Sequence, residues 1–329
     1  MRRAEKGESG MRRAKRQDPY DSYDDDFEWE DEWSHSDAKP KSRSRGRKKT
    51  RQRHRPLLLL LLTAAVFLLV RHGAPDLRQA FSFGGNSAAY EQTGSASAPE
   101  DTMEALQAMA RQDSRVQTIT AHPERYPAPL LKALGRNSEL LDFTLDYPEK
   151  KGTSAKKIDL SAKCSGTGIP LLMQWDEDWG YASYGSGIIA LDGCGPTCLS
   201  MVAVGLTGDT SRNPKAVAAF AEKNGYLDES AGGTLWTLMS EGASKLGLSS
   251  RELSLDETVM ARELSKGHAI ICSMRPGDFT TVGHFIVLSG YKSGSFTVRD
   301  PNSRKRSDQK WSYETLKPQI RNLWAFSRA

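Results

Sequence analysis

Residues 284–291 (HFIVLSGY) and 295–300 (SFTVRD) are two strand-like runs separated by Lys292-Ser293-Gly294, a polar turn with a glycine. That spacing predicts an antiparallel hairpin. Side chains alternate along each strand, so His284, Ile286 and Leu288 share one face of the first. The matching parity of the second strand carries Phe296, Val298 and Asp300. Folding at about residue 292 sets His284 opposite Asp300 on the mostly apolar side, where opposed residues lie roughly 5 Å apart. The expected pairing gives the carboxylate the imidazole Nδ1 proton and leaves Nε2 for a third group. A one-residue slip in register would undo it. Taken alone, the same residues also describe a core hairpin with a satisfied histidine and an Asp-Pro turn.

The third group lies upstream, in Gly193-Cys194-Gly195-Pro196-Thr197. Gly195 suits a helix cap, Pro196 the first helical position, and Thr197 to Leu206 an apolar helix stopped at Gly208. Cys194 then sits at the helix entrance, where the dipole and the free backbone N–H groups favour thiolate over thiol. An isolated cysteine is ordinarily a small buried hydrophobe; the order Cys, His, Asp makes this one a candidate nucleophile, with a base and an orienter downstream. Acyl transfer also needs donors for the tetrahedral oxyanion. Gln174, in Leu171-Leu172-Met173-Gln174-Trp175, is the candidate, with the Cys194 backbone N–H as the second donor.

On these motifs residues 169–329 resemble the bacteriocin-processing (double-glycine leader) peptidase family, a branch of the papain-like cysteine peptidases. The shared features are Gln174 followed by Trp179, Gly-Cys-Gly-Pro-Thr, Gly283-His284-Phe285-Ile286-Val287, and Asp300-Pro301 after the next strand. The resemblance implies a papain-like fold and a peptide or protein substrate. It also implies Cys194 as nucleophile, His284 as general base, Asp300 as its orienter and Gln174 as oxyanion donor. One departure stands out: founding members place the glutamine a few residues before the cysteine and are fused to an ATP-driven exporter. Here Trp175 to Gly193 intervene and no nucleotide-binding motif follows. Cleavage of double-glycine leaders therefore does not carry over. Amidase or transglutaminase chemistry on cell-wall peptides, and an inactive binding or scaffold protein of the same fold, are the competing readings.

The rest of the region has an α+β order. Asn213-Pro214 opens a helix that Gly225 ends, Thr234 one that Gly247 ends, and Asp256 to Lys266 forms a third. Strands are expected at Ala269–Met274, His284–Tyr291, Ser295–Asp300 and Asn322–Phe326. This puts a helical half against an antiparallel sheet. Cys198, one turn after Cys194, is a packing residue, and Cys164 with Cys272 is a candidate disulfide. His268 is the rival base. No metal or cofactor is expected, since no second Cys or His pair completes a ligand set.

The N-terminal third has a different composition. Residues 1–55 hold an acidic block (Asp18 to Asp37) and a basic block (Lys39 to Arg55) without apolar periodicity, and are expected to be disordered. They carry 17 Lys and Arg against 12 Asp and Glu, which leaves 29 of each for the rest of the chain and its net charge of +5 wholly in the tail. The catalytic half thus gives no reason to expect nucleic acid. Leu57 to Val70 is a 14-residue apolar run, roughly 21 Å as a helix and shorter than the roughly 30 Å hydrocarbon core. Its length suits a signal-peptide core or a short anchor; Arg71-His72-Gly73 offers no small-x-small cleavage site, which favours an uncleaved single transmembrane helix at 56–71. The basic flank before it puts the N-terminus in the cytoplasm and the catalytic part outside. A Gly/Ser/Ala-rich spacer (72–100) follows, then a helical extension (101–160) with pieces at Met103–Arg111, Pro129–Leu134 and Ser138–Leu145. Residues 161–329 form the expected peptidase domain. The tail's own partner is not specified by its sequence.

Overall fold

The computed structural model describes residues 99–164, 166, 168–228 and 233–329. The charged tail, the apolar run Leu57 to Val70 and most of the spacer lie outside the described residues. Among the described residues no helix is long and apolar enough to cross a membrane.

The described residues open with four α-helices, α1 (Glu100–Ala110), α2 (Arg115–Ala121), α3 (Ala128–Arg136) and α4 (Leu141–Lys150). Three of them correspond to the expected pieces. Helix α2 was not legible, being about two turns of mixed residues, and Gly135 lies inside α3 rather than closing it. Their apolar faces meet in a cluster of Leu106, Val116, Ile119, Leu130, Leu131, Leu134 and Leu140. The same cluster takes in Tyr181 and Ala190 from the segment between Gln174 and Cys194, and Tyr181 stacks on Phe143 with ring centroids 4.0 Å apart. The long Trp175–Gly193 insertion therefore has a packing partner: the helical extension.

A short ribbon, β1 (Ser183–Tyr184) with β2 (Gly187–Ile188), leads through α5 (Ile189–Asp192) into α6 (Cys194–Thr207). Every residue of α6 from Gly195 to Val204 is buried, as a helix apolar on all sides must be. Gly208, at φ 77°, ends it, a left-handed cap that glycine adopts without penalty. Helix α7 (Pro214–Lys223) follows as expected, its Ala216 N–H capped by the Asn213 side chain. The helix expected from Thr234 begins only after a second ribbon, β3 (Leu227–Asp228) with β4 (Gly233–Thr234); Thr234 pairs with Leu227 there, and a π turn (Leu238–Gly242) runs into α8 (Ala243–Lys245).

The second half is a six-stranded antiparallel sheet of β5 (Leu248–Glu252), β6 (Ala269–Met274), β7 (His284–Lys292), β8 (Ser295–Arg299), β9 (Lys310–Ser312) and β10 (Ile320–Arg328). Its order is β5-β10-β6-β7-β8-β9. The four expected strands are its centre, and β5 and β9 form edges that their short polar sequences did not announce. Helix α9 (Glu257–Ser265) enters between β5 and β6, capped by Asp256 on Val259 N–H. One face of the sheet, with Ile271, Phe285, Val287, Trp324 and Phe326, packs on α6. The other, with Ile270, Cys272, Ile286, Leu288, Phe296 and Val298, packs on Met260 and Leu264 of α9. The fold is α+β, with both sheet faces covered.

Alternation along β6 also decides the cysteines. Cys272 points to the α9 side, whereas Cys164 packs at the margin of the α6 side. All four cysteines are free thiols, so the candidate Cys164–Cys272 disulfide is not formed: the sheet stands between the two sulfurs.

Candidate active site

Cys194 occupies the first turn of α6, with Gly193 as the cap. The helix thus begins two residues before the expected Gly195 cap. Both glycines are required by close approach: a Cβ on Gly193 would stand 2.6 Å from the Ile189 carbonyl oxygen, and one on Gly195 2.8 Å from Cβ of Thr234. The β3–β4 ribbon therefore lies directly against the Cys194 turn. Tyr184 fixes it there, its hydroxyl 2.9 Å from Thr234 Oγ1.

The hairpin reaches its register by a different route from the one its spacing suggests. The turn has two residues, Ser293 at φ 52° and Gly294 at φ 76°, with Lys292 paired to Ser295. Continued without interruption, that pairing would set Asp300 against Val287, on the wrong face for His284. A bulge at Ser289 shifts the register, so that Gly290 pairs with Thr297 but Leu288 pairs with Val298. The extra residue restores the parity. Asp300 then lies beyond Arg299, diagonal to His284 rather than directly opposite, within reach of a ring that spans the diagonal.

His284 Nε2 lies 2.8 Å from Asp300 Oδ1. The ring is thus turned the other way from expectation: Nε2 meets the carboxylate, and Cys194 lies near enough to the imidazole to help raise its pKa. The diagonal approach explains the reversal, since the more distal ring nitrogen reaches the neighbouring strand's end. His284 is 8% exposed and Asp300 is fully buried. Burial by itself would lower the histidine pKa, but the Asp300 charge and hydrogen bond, with a smaller contribution from Cys194, outweigh it and raise it from 6.5 to about 9. Burial would likewise raise the Asp300 carboxyl; His284 and Arg306 hold it below its ordinary value instead.

Asp300 has more partners than its sequence position suggested. Oδ1 also accepts the Asn302 N–H at 2.8 Å, Oδ2 accepts Arg306 Nε at 2.5 Å, and its own N–H donates to Ser307 Oγ at 2.9 Å. Arg306 and Ser307 lie on α10 (Arg304–Asp308), capped by the Ser303 side chain on Arg306 N–H. The cap pattern Ser303-x-x-Arg306 is visible in the sequence; that its helix grips the orienter is not.

Gln174 is 3% exposed. Its backbone N–H donates to the Pro301 carbonyl at 2.8 Å, which ties it to the residue after Asp300. Nε2 donates to the Ala190 carbonyl at 2.7 Å and makes a longer contact, 3.4 Å, with the Leu191 carbonyl. Oε1 has no hydrogen-bond partner. The amide therefore faces the two residues that lead into Cys194, with one proton well used and one loosely held.

Cys198 is buried and donates its thiol to the Phe285 carbonyl at 3.2 Å. It thereby links the nucleophile's helix to the residue beside His284, and burial pushes its pKa well up, which suits packing. His268 lies elsewhere, its Nδ1 2.8 Å from Glu263 Oε2. Among the described residues no group of His, Cys, Asp and Glu is arranged to hold a metal.

Residues 167–328, just under half of the chain, match the model of the Peptidase_C39 like family. Two solved structures are similar to part of the chain at low identity. The peptidase domain of Streptococcus ComA, described as a bi-functional ABC transporter involved in a quorum sensing pathway, is 19% identical; the match covers 41% of this chain and 93% of that one, at a TM-score of 0.31. A putative C39-like peptidase from Bacillus anthracis is 17% identical, with 49% of this chain and 95% of that one covered, at a TM-score of 0.29. No curated protein matches the chain.

Proposed function

We propose that this chain is a cysteine peptidase that hydrolyses peptide bonds through Cys194, His284, Asp300 and Gln174. One observation carries the reading: a buried imidazole holds a carboxylate at 2.8 Å through Nε2 and has a cysteine at a helix entrance close enough to raise its pKa. The match of residues 167–328 to a C39-like peptidase family supports it.

In the proposed cycle the Cys194 thiolate attacks the scissile carbonyl, and the oxyanion takes hydrogen bonds from the Cys194 N–H and the loosely held Gln174 amide proton. His284, protonated at neutral pH, gives its Nδ1 proton to the leaving amine as the C–N bond breaks. It then accepts a proton from the water that cleaves the thioester, which restores thiolate and imidazolium. Asp300 keeps the ring oriented and stabilises its charge.

The same reading takes residues 161–329 as the peptidase domain, 101–160 as an extension and Leu57 to Val70 as a membrane anchor with the catalytic part outside. Protease added to intact cells tests that topology, since it should digest the region after residue 72 and leave the tail whole. For the chemistry, a thiol-directed probe applied to the full chain is expected to label Cys194 ahead of Cys164, Cys198 and Cys272 and to block hydrolysis. Equal labelling of all four, or hydrolysis that survives Cys194→Ala, overturns it.

A further inference from the structure

We propose that Glu139, carried by the helical extension, is a positioning residue for the His284–Asp300 pair, so that the extension is a working part of the site and not a removable stalk. This rests on the peptidase reading of that pair. The contact is specific. Glu139 Oε1 accepts the Ser303 hydroxyl at 2.5 Å, Oε2 accepts the Arg304 N–H at 2.9 Å, and Oε1 makes a longer contact with the Lys305 N–H at 3.4 Å.

Ser303 to Lys305 lead directly into the two residues that hold Asp300. Ser303 Oγ accepts the Arg306 N–H at 3.1 Å, and the Ser303 carbonyl accepts the Ser307 hydroxyl at 2.8 Å. Arg306 and Ser307 then bind the Asp300 carboxylate and backbone N–H. A carboxylate on the extension therefore sits one residue contact from the grip on the orienter. Arg306 has little freedom to compensate, for its Nη2 is buried without a partner and its position depends on the helix that Glu139 caps.

Neighbouring residues of the extension reinforce the same loops. Asn137 Nδ2 donates to the Asn302 carbonyl at 2.6 Å, beside the Asn302 N–H that binds Asp300. Arg136 donates to Thr281 Oγ1 at 2.6 Å, three residues before His284. Arg304 stacks over Trp175, whose indole N–H also donates to Asn302. Four consecutive residues, Arg136 to Glu139, thus hold the approach to His284 and the exit from Asp300.

The charged groups facing this chain of contacts are Glu139, Arg304 and Lys305 at its outer end and Arg306, Asp300, His284 and Cys194 at its inner end. When the grip on Asp300 loosens, the carboxylate supports the imidazolium less well, and His284 should titrate at lower pH. The test is an NMR titration of His284 in the full chain, alongside the pH profile of kcat/KM. Glu139→Ala is expected to lower the His284 midpoint by about one pH unit and to move the alkaline limb of kcat/KM down with it, with KM unchanged. Glu139→Gln, which keeps an acceptor oxygen, should recover part of the shift and serves if the alanine variant does not fold. Glu149→Gln, on the same extension but paired to Arg125 at the surface, should leave the midpoint alone. An unshifted midpoint in a folded Glu139→Ala protein, or an equal shift in Glu149→Gln, overturns the inference. If the unsubstituted protein shows no thiol-dependent hydrolysis, the peptidase reading fails, while the titration still decides the role of Glu139.

Discussion

Cys194 and His284 reach the proposed site by opposite structural means. Cys194 stands on a helix buried on every side and fixed by steric fit: Gly193 against the Ile189 carbonyl, Gly195 against Thr234, Cys198 bonded to Phe285. His284 and Asp300 stand on a hairpin fixed by hydrogen bonds and charge: a bulge that sets the face, then Arg306, Ser307 and Asn302 around the carboxylate. Steric placement is local and short-ranged. Polar placement depends on residues from four separate segments, the extension included, and so gives more places at which the site can be perturbed without unfolding the core.

The largest effect should come from the steric side. Cys194→Ala is expected to remove all hydrolysis while leaving the thermal midpoint near that of the parent, because Cys194 is only partly buried; measurable turnover in the variant would mean that the helix merely frames the site. On the polar side, Asp300→Ala removes the carboxylate that the ring meets and should reduce kcat by about a hundred- to ten-thousand-fold; a variant with near-parental activity would show that the ring needs no carboxylate. Gln174→Ala should cost about a hundred- to a thousand-fold in kcat with KM little changed, and a loss confined to KM would remove Gln174 from the oxyanion role.

The sequence was most legible where the controlling interactions are local. The Cys194 helix, its stop at Gly208, the Asn213 and Asp256 caps and four central strands follow from short-range patterns. Period-two alternation identified the shared face of His284 and Asp300. It did so with a turn one residue longer than the real one, and the result stood because Ser289 supplies the missing residue inside the strand. Nothing in HFIVLSGY marks that bulge. The ring's orientation was misread for the same reason: it follows from the diagonal approach that the bulge produces. Arg306 was missed because its contact with Asp300 crosses an irregular loop, and Glu139 because its contacts with Ser303 and Arg304 join residues 164 and 165 positions apart; no periodicity encodes either hydrogen bond. The Trp175–Gly193 insertion looked like a departure from the peptidase pattern until Tyr181 and Ala190 appeared in the extension's core.

The smallest and most discriminating effect concerns how the two sides share charge. His284 has its pKa raised from 6.5 to about 9, against burial, by Asp300 and to a lesser extent by Cys194. A raised folded-state pKa means that the stabilisation is present in full below about 6.5 and is lost as pH rises through about 9. Therefore kcat/KM should fall on the alkaline side with a midpoint near 9, and this contribution to urea resistance should decline from about pH 6.5 and be nearly gone by about 9. In Cys194→Ala the sulfur's contribution is gone while Asp300 remains, so the His284 midpoint should drop yet stay above 6.5. In Asp300→Asn the charge goes and only a neutral amide oxygen is left to accept, burial is left with less to oppose it, and the midpoint should fall further than in Cys194→Ala. NMR titration of the ring in both variants checks the ranking. A larger drop from removing the sulfur would mean that the steric partner, not the polar one, sets the charge state of the base.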